Sequence, residues 1–224
     1  MSLQGATDWH CHVLPGVDDG VKTMEQSLGI LGRLEQAGVS RMWLTPHVME
    51  DVPNTTAHLR ERFAELTEVY SGPIELHLAS ENMIDNLFRE RLAAGDLLPI
   101  GDRADMLLVE TSYFNSPVRL TQTFEDIKHA GYFPLLAHPE RYFYVEKMST
   151  YKKWKDLGVR FQLNLLSLGG YYGPAVKKKA EKMLDEGMYD LAGSDTHHER
   201  HTDLLISQKL TKSRLEKVYK LISA

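Results

Sequence analysis

The chain of 224 residues has a single cysteine, Cys11. A lone thiol rules out an internal disulfide and fits a reducing compartment, so a cytoplasmic location is expected. No apolar run approaches the length of a membrane span. The opening MSLQGATDW has neither the basic segment nor the apolar core of a secretory signal. Met1-Ser2-Leu3 reads as an expression leftover, and residues 1–6 as a disordered start. Positive charge is scarce: 26 Lys and Arg stand against 31 Asp and Glu, a formal net charge of −5. That balance gives no footing for a general nucleic-acid binder. Internal repeats, low-complexity tracts and Pro/Ser/Gly-rich linkers are also absent, so residues 1–224 are expected to form one domain. The length suffices for one large α/β core.

What is present is an alternation of two periodicities. Short apolar, β-branched runs predict strands at 7–13, 39–47, 74–81, 106–111, 133–138, 159–166 and 189–195. Between them, apolar residues recur at helical spacing: Met24, Leu28, Leu31 and Leu34 in 24–37, then Leu59, Phe63, Leu66 and Tyr70 in 56–70. Thr23 with Gln26 reads as a capping box and Gly38 as a stop. Segments 85–93, 121–130, 149–157, 174–186 and 212–222 complete the set, with Pro174 suited to a first turn and Gly187 to an end. Strands alternating with helices imply parallel pairing through right-handed crossovers. Seven such units in this length point to a TIM-like barrel, with a doubly wound open sheet as the competitor. Either architecture places chemistry at the carboxyl ends of the strands.

Those ends carry an unusual set of side chains. The first strand runs into DWHCHVLPGVDDG (8–20), where His10 and His12 at i and i+2 share a face, Cys11 points the other way, and Asp8 is placed to orient a ligand histidine. The later strands end in Thr45-Pro46-His47, Ser80-Glu81, Glu110, His138-Pro139-Glu140-Arg141, Gln162 with Asn164, and Ser194-Asp195-Thr196-His197. Six of seven strand ends therefore present a His, Asp or Glu. Five histidines and four carboxylates are too many for one ion, because zinc takes four ligands and octahedral manganese or iron six. Two or three divalent ions sharing a bridging carboxylate fit better. The other histidines read differently. His58 and His129 lie in helical segments as surface residues. His77 is an interior hydrogen-bonded residue or a contact behind the ligands. His198 and His201 follow the last pair and read either as residues reaching the site or as residues of a mobile loop.

The motifs DWHCHVLPGVDDG, TPH (45–47), SEN (80–82), LLVETS (107–112), LLAHPER (135–141) and SDTHHER (194–200) resemble the PHP (polymerase and histidinol phosphatase) superfamily. They most resemble its branch of manganese-dependent protein-tyrosine phosphatases from bacterial capsule and exopolysaccharide operons. The resemblance implies a distorted (β/α)7 barrel and a trinuclear centre. His10, His12 and Asp195 would hold one ion; Glu81 would bridge it to a second, bound also by Glu110 and His138. His47, His197 and an aspartate of the Asp18-Asp19 pair, Asp19 by preference, would hold the third. Arg141 would clamp the phosphoryl group. Related sequences carry an Asn after the SDxH histidine and a functional arginine further on. Here His198 replaces the Asn, and Arg200 is the nearest arginine.

The chemistry expected of such a site is hydrolysis of a phosphomonoester by hydroxide generated at the metals, without a phosphoenzyme. Arg141 and Arg200 would contact phosphate, and His47 or His197 would protonate the departing phenolate. The cofactors expected are three divalent ions, Mn or alternatively Fe or Zn. The substrate expected is a phosphotyrosine protein, in particular the tyrosine-rich tail of a bacterial tyrosine autokinase. A small-molecule phosphatase such as histidinol-phosphate phosphatase is the alternative, and a nonenzymatic metal-bound interaction module the third reading. A cysteine phosphatase is excluded, since no arginine stands six residues after Cys11. Aromatics cluster after the strand ends, at Tyr113, Phe114, Tyr142, Phe143, Tyr144, Tyr171 and Tyr172. They read either as a stacking surface for a phosphotyrosine ring or as cover for the barrel rim. The runs 115–119 and 168–174 read as edges of a shallow groove.

Overall fold

The structure is a computed structural model describing every residue except Ser2 and Ala224. Its strands are β1 (Ala6–Cys11), β2 (Val39–Leu44), β3 (His47–Val48), β4 (Glu75–Leu78), β5 (Glu81–Met83), β6 (Met106–Glu110), β7 (Phe133–Ala137), β8 (Arg160–Asn164) and β9 (Leu191–Gly193). The helices are α1 (Met24–Gln36), α2 (Thr56–Val69), α3 (Asn86–Ala94), α4 (Leu120–His129), α5 (Met148–Asp156), α6 (Leu165–Gly169), α7 (Pro174–Asp185), α8 (Glu199–Ser207) and α9 (Lys212–Ile222). Every pair of neighbouring strands is parallel. Among the described residues no helix is long and apolar enough to cross a membrane.

These nine segments make seven strand units. The run expected at 39–47 breaks at Thr45-Pro46, because proline has no N–H to give a ladder, and resumes as β3. The run at 74–81 breaks after Leu78 and resumes as β5. The breaks divide the sheet into β1-β2-β4 and β3-β5-β6-β7-β8-β9. Backbone bonds cross the divide: Thr45 N–H donates to Cys11 O at 2.9 Å, and Glu81 N–H to Pro46 O at 3.0 Å. The other side closes where Asp195 N–H donates to His10 O at 2.7 Å and His12 N–H to Thr196 O at 2.9 Å. The result is a distorted (β/α)7 barrel of the TIM kind.

Most of the strands bury both faces, as parallel strands covered by helices do, β4 being half-exposed. Leu107, Val109, Leu136, Phe161, Leu163 and Ala192 pack into the large core shared with the helices. Their neighbours of opposite parity, Met106, Leu108, Leu135, Ala137 and Leu191, join Trp9 and Trp43 in a second cluster that fills the barrel. Trp9 and Trp43 stack with centroids 6.0 Å apart, and His77 lies on Trp43 at 4.6 Å. This plug sits one or two residues before Glu110 and His138 along their strands. It leaves only the carboxyl-terminal mouth of the barrel for polar chemistry.

Three local expectations differ from the fold. Residues 3–6 are ordered: Leu3 is buried, and the N–H groups of Leu3 and Gly5 donate to Ala37 O and Gly38 O. The strand expected to reach 166 stops at Asn164, whose side-chain oxygen accepts Leu166 N–H at 2.9 Å and caps α6. Residues after His198, read as a loop, form α8.

Candidate metal centre

The mouth is assembled by close backbone approach. Gly193 of β9 lies against β1, and a Cβ there would sit 2.5 Å from both the nitrogen and Cβ of His10. A Cβ on Gly20 would overlap the carbonyl oxygen of His12. The glycine of DDG thus lets the loop fold back onto the strand that carries the histidines. His138 and Asp195 have φ of 33° and 52°. Two non-glycine residues in the left-handed region at one site are strained backbone that the surroundings must hold.

Hydrogen bonds at the outer ring nitrogens fix which atom of each histidine faces the centre. His10 Nδ1–H donates to Gln162 Oε1 at 2.9 Å, and His12 Nδ1–H to Asp18 Oδ2 at 2.8 Å. Their Nε2 lone pairs therefore point inward. These two atoms are 3.0 Å apart. Each is 3.2 Å from Glu81 Oε2, and they are 3.5 and 3.4 Å from Asp195 Oδ1. His138 Nε2 lies 2.9 Å from Glu81 Oε1. His47 Nδ1 is 3.2 Å from Glu81 Oε2 and 3.1 Å from Glu110 Oε1. On the outer side, His47 Nε2 and His197 Nε2 approach Asp19 Oδ1 at 3.5 and 3.4 Å, while His197 Nδ1–H donates to Asp195 O at 2.9 Å.

The donor set fits divalent metal. Four groups of donor atoms converge: His10, His12 and Asp195; His10, Glu81 and His138; His47, Glu81 and Glu110; and His12, Asp19, His47 and His197. Donors held about 2.1 Å from one ion lie roughly 3.0–3.4 Å from each other at tetrahedral or octahedral angles. Most of the separations above fall in or near that window. Glu81 Oε2, Glu110 Oε1 and His47 Nδ1 are also buried without a hydrogen-bond partner among the described residues, an arrangement that buried polar atoms avoid unless something else binds them. Mixed imidazole and carboxylate donors accept Mn, Fe or Zn.

Charge supports the same reading. Burial pushes the His10 imidazole down, but Glu81 and Asp195 outweigh it and raise it to about 9. His47 is likewise raised to about 10, burial being overcome chiefly by Glu81 and Glu110. Burial pushes the carboxyls of Glu81 and Asp195 up, yet the surrounding imidazoles hold both below the usual range. The pocket thus favours cations strongly enough to hold protons on His10 and His47.

All nine side chains expected as ligands meet at this mouth, and the Asp18-Asp19 ambiguity separates by exposure. The Asp18 side chain is fully buried, and besides His12 it accepts His47 N–H at 3.0 Å and Gly20 N–H at 2.9 Å. The Asp19 side chain is 72% exposed and faces His47 and His197. Asp8 does not orient the His10 ring. Its carboxylate accepts Ser194 N–H at 2.7 Å and His10 N–H at 3.3 Å and ties β1 to β9. Gln162 orients that ring instead, and Asn164 Nδ2 donates to Asp195 Oδ2 at 2.7 Å. Their i, i+2 spacing on β8 was the signal for both. Glu140 is buried, accepting from Asn164 N–H, Ser167 Oγ–H and Tyr189 O–H, so it braces the β8 end.

The remaining candidates divide. Arg141 Nη1 donates to Asp195 Oδ2 at 2.9 Å and lines an open cleft of about 400 Å³ with Tyr113, Tyr171, Tyr172 and His201. Arg200 does not line it. It borders a separate depression of about 470 Å³ with Lys22, Gln26 and Ile30, whose lining shares Asp19, His197 and His198 with the cleft. His47 Nδ1 faces Glu81 and Glu110, His197 Nδ1–H is committed to Asp195 O, and both Nε2 atoms turn toward Asp19. His201 Nδ1 accepts His197 N–H at 3.2 Å; burial lowers it to about 4. His58 and His129 are exposed on their helices. The aromatics also split: Tyr142 is fully buried, while Phe114 and Phe143 stack on each other at 5.5 Å on the outer surface. Cys11 is buried, its thiol donating to Trp43 O at 3.4 Å and pushed well above its usual range by burial.

The family model for capsular polysaccharide synthesis, CpsB/CapC, matches residues 6–220. Tyrosine-protein phosphatase YwqE of Bacillus subtilis (strain 168) is 29% identical over 196 residues, covering 85% of this chain and 77% of that protein. The putative tyrosine-protein phosphatase CapC of Staphylococcus aureus is 25% identical over 217 residues, covering 95% and 85%. Among solved structures, a chain from the crystal structures of YwqE from Bacillus subtilis and CpsB from Streptococcus pneumoniae, described as metal-dependent tyrosine phosphatases, superposes with TM-score 0.81 at 26% identity, covering 96% of this chain and 87% of that one. The lactonase Lmo2620 from Listeria monocytogenes, 11% identical with TM-score 0.58 over 99% and 93%, shares the fold.

Proposed function

The chain belongs to the CpsB/CapC capsular polysaccharide synthesis family, and we propose that it is a metal-dependent protein-tyrosine phosphatase. The observation that carries the proposal is the convergence of nine ligand-type side chains beneath Arg141 at the floor of an open cleft. His10, His12 and Asp195 would hold one ion; Glu81, Glu110 and His138 a second; Asp19, His47 and His197 the third. When bound, such ions supply Lewis acidity at the phosphoryl oxygens and a nucleophile from water at neutral pH.

The protein's own groups do the rest. Gln162 and Asp18 hold two ring tautomers with their lone pairs inward. Arg141 offers charge-assisted N–H donors to the non-bridging phosphoryl oxygens. With the ring nitrogens of His47 and His197 turned toward carboxylates and a backbone carbonyl, departure rests on the leaving group itself. A phenol of pKa about 10 is a far better one than an alkanol. Cys11 takes no part, so no phosphocysteine forms.

The cleft is open and shares Asp19, His197 and His198 with the adjoining depression. An open cleft with a neighbouring depression has room for chain beside a phosphotyrosine, which favours a protein tail, such as that of a tyrosine autokinase, over a small metabolite. The test is turnover of a phosphotyrosine peptide against histidinol phosphate, with protein purified without chelator and after chelation and Mn(II) return. The expected result is metal-dependent preference for the peptide. Faster turnover of histidinol phosphate would move the assignment to the small-molecule alternative.

A further inference from the structure

Arg141 is held over two tyrosine rings. Its guanidinium carbon lies 4.3 Å from the ring centroid of Tyr113 and 4.0 Å from that of Tyr172. The three residues come from separate loops: Tyr113 follows β6, Arg141 closes the turn Pro139–Arg141 after β7, and Tyr172 follows α6. The Tyr113 hydroxyl makes no hydrogen bond among the described residues, so its contact with Arg141 runs through the ring. Tyr172 is pinned from behind, its hydroxyl accepting Asn164 Nδ2–H at 3.0 Å. Asn164 also holds Asp195, the residue that Arg141 Nη1 reaches.

We propose that Tyr113 and Tyr172 are positioning residues for phosphate capture, fixing the plane of Arg141 so that its N–H edge faces the mouth. A free arginine side chain carries substantial rotamer entropy, and ordering it on ligand binding costs affinity. A guanidinium stacked over two aromatic rings is ordered beforehand, and each contact is favourable in itself. It also follows that one face of each ring is occupied. The tyrosines that the sequence offered as a stacking surface for a substrate ring are already stacked on the arginine.

The proposal rests on the reading of Arg141 as a phosphate ligand, but its test does not use phosphotyrosine turnover. The probe is inorganic phosphate, titrated calorimetrically into the Mn(II)-loaded full chain. Four proteins make the cycle: parent, Tyr113→Leu with Tyr172→Leu, Arg141→Ala, and the combination. The paired leucines should weaken phosphate about tenfold when Arg141 is present and less than about twofold when it is alanine. Tyr113→Phe, which keeps the ring, should stay within about twofold of the parent. Equal loss in both arginine backgrounds would mean a merely structural role, and no loss would mean that Arg141 needs no support; either result overturns the proposal. Should the paired variant fail to fold, Tyr113→Leu alone runs the same cycle with the same criteria. Elemental analysis confirms equal Mn content throughout. Phosphate binding that follows the cycle in a chain unable to hydrolyse phosphotyrosine peptides would sink the phosphatase reading and leave this one standing.

Discussion

The Asp18 carboxylate accepts the His12 Nδ1–H at 2.8 Å, while the carboxylate of Asp19, next in the chain, stands 3.4 Å from His197 Nε2. One orients a ligand and the other is placed as a ligand, and the two should fail differently. Asp19→Ala should lower the number of Mn(II) bound at saturation. Asp18→Asn should keep that number but weaken binding by about 10–100-fold, the usual effect of losing a partner behind a metal-bound histidine. Elemental analysis with a Mn(II) titration separates them. Full stoichiometry in Asp19→Ala would remove it from the ligand set.

Gly193 is where β9 leans on β1. Alanine there would put its Cβ 2.5 Å from the His10 nitrogen and Cβ, and backbone on both sides has little room to yield. Gly193→Ala should destabilise by about 1–3 kcal/mol, lowering Tm by roughly 3–10 °C for a domain of this size. Because the displaced residue is His10, metal affinity should fall as well. A variant with the parent's Tm and metal affinity would show that the strands can part freely.

The alternation of strands and helices was legible because most strands are buried on both faces and the helices carry apolar stripes. The convergence of the candidate ligands was legible because parallel strands deliver their last residues to one rim. What escaped notice depends on pairing across the fold. Asp18 and Asp19 have the same side chain in the same loop, and only the position of His12 distinguishes them. Gln162 and Asn164 stood in plain view at a strand end, but amides declare no partner until the rings and carboxylates opposite are placed. Residues 165–169, LLSLG, are as apolar as a strand, and the Asn164 cap turns them into a helix. Arg200 was assigned by proximity in sequence to His197. One turn of α8 carries it to a different depression.

Cys11 stands between two of the candidate ligands, His10 and His12, yet is expected to take no part in the chemistry. Its thiol is buried and donates to the Trp43 carbonyl, a bond that a serine hydroxyl can also make. Cys11→Ser should keep turnover within about threefold and cost at most about 1–2 kcal/mol of stability, that of replacing a weakly polar group by a hydrogen-bonded hydroxyl in a core. The parent should also resist alkylation in its folded state. Loss of turnover in the serine variant with full metal content would restore a role for the thiol.

Metal removal should expose a pH dependence that the loaded protein lacks. In the stripped chain the carboxylates raise His10 to about 9 and His47 to about 10, despite burial, whereas the unfolded imidazole titrates near 6.5. A group whose folded pKa is raised binds its proton more tightly in the folded state, so its contribution is complete below pH about 6.5 and disappears as pH rises through the folded pKa. The stripped protein should therefore lose stability steadily from about pH 6.5 to 10. Mn(II) binding requires these imidazoles unprotonated and stabilises the folded state by mass action, so the loaded protein should melt higher and stay flat over the lower part of that range. The measurement is Tm against pH for both forms. A stripped protein whose Tm rises between pH 7 and 9 would mean that the clustered carboxylates do not hold protons on these rings.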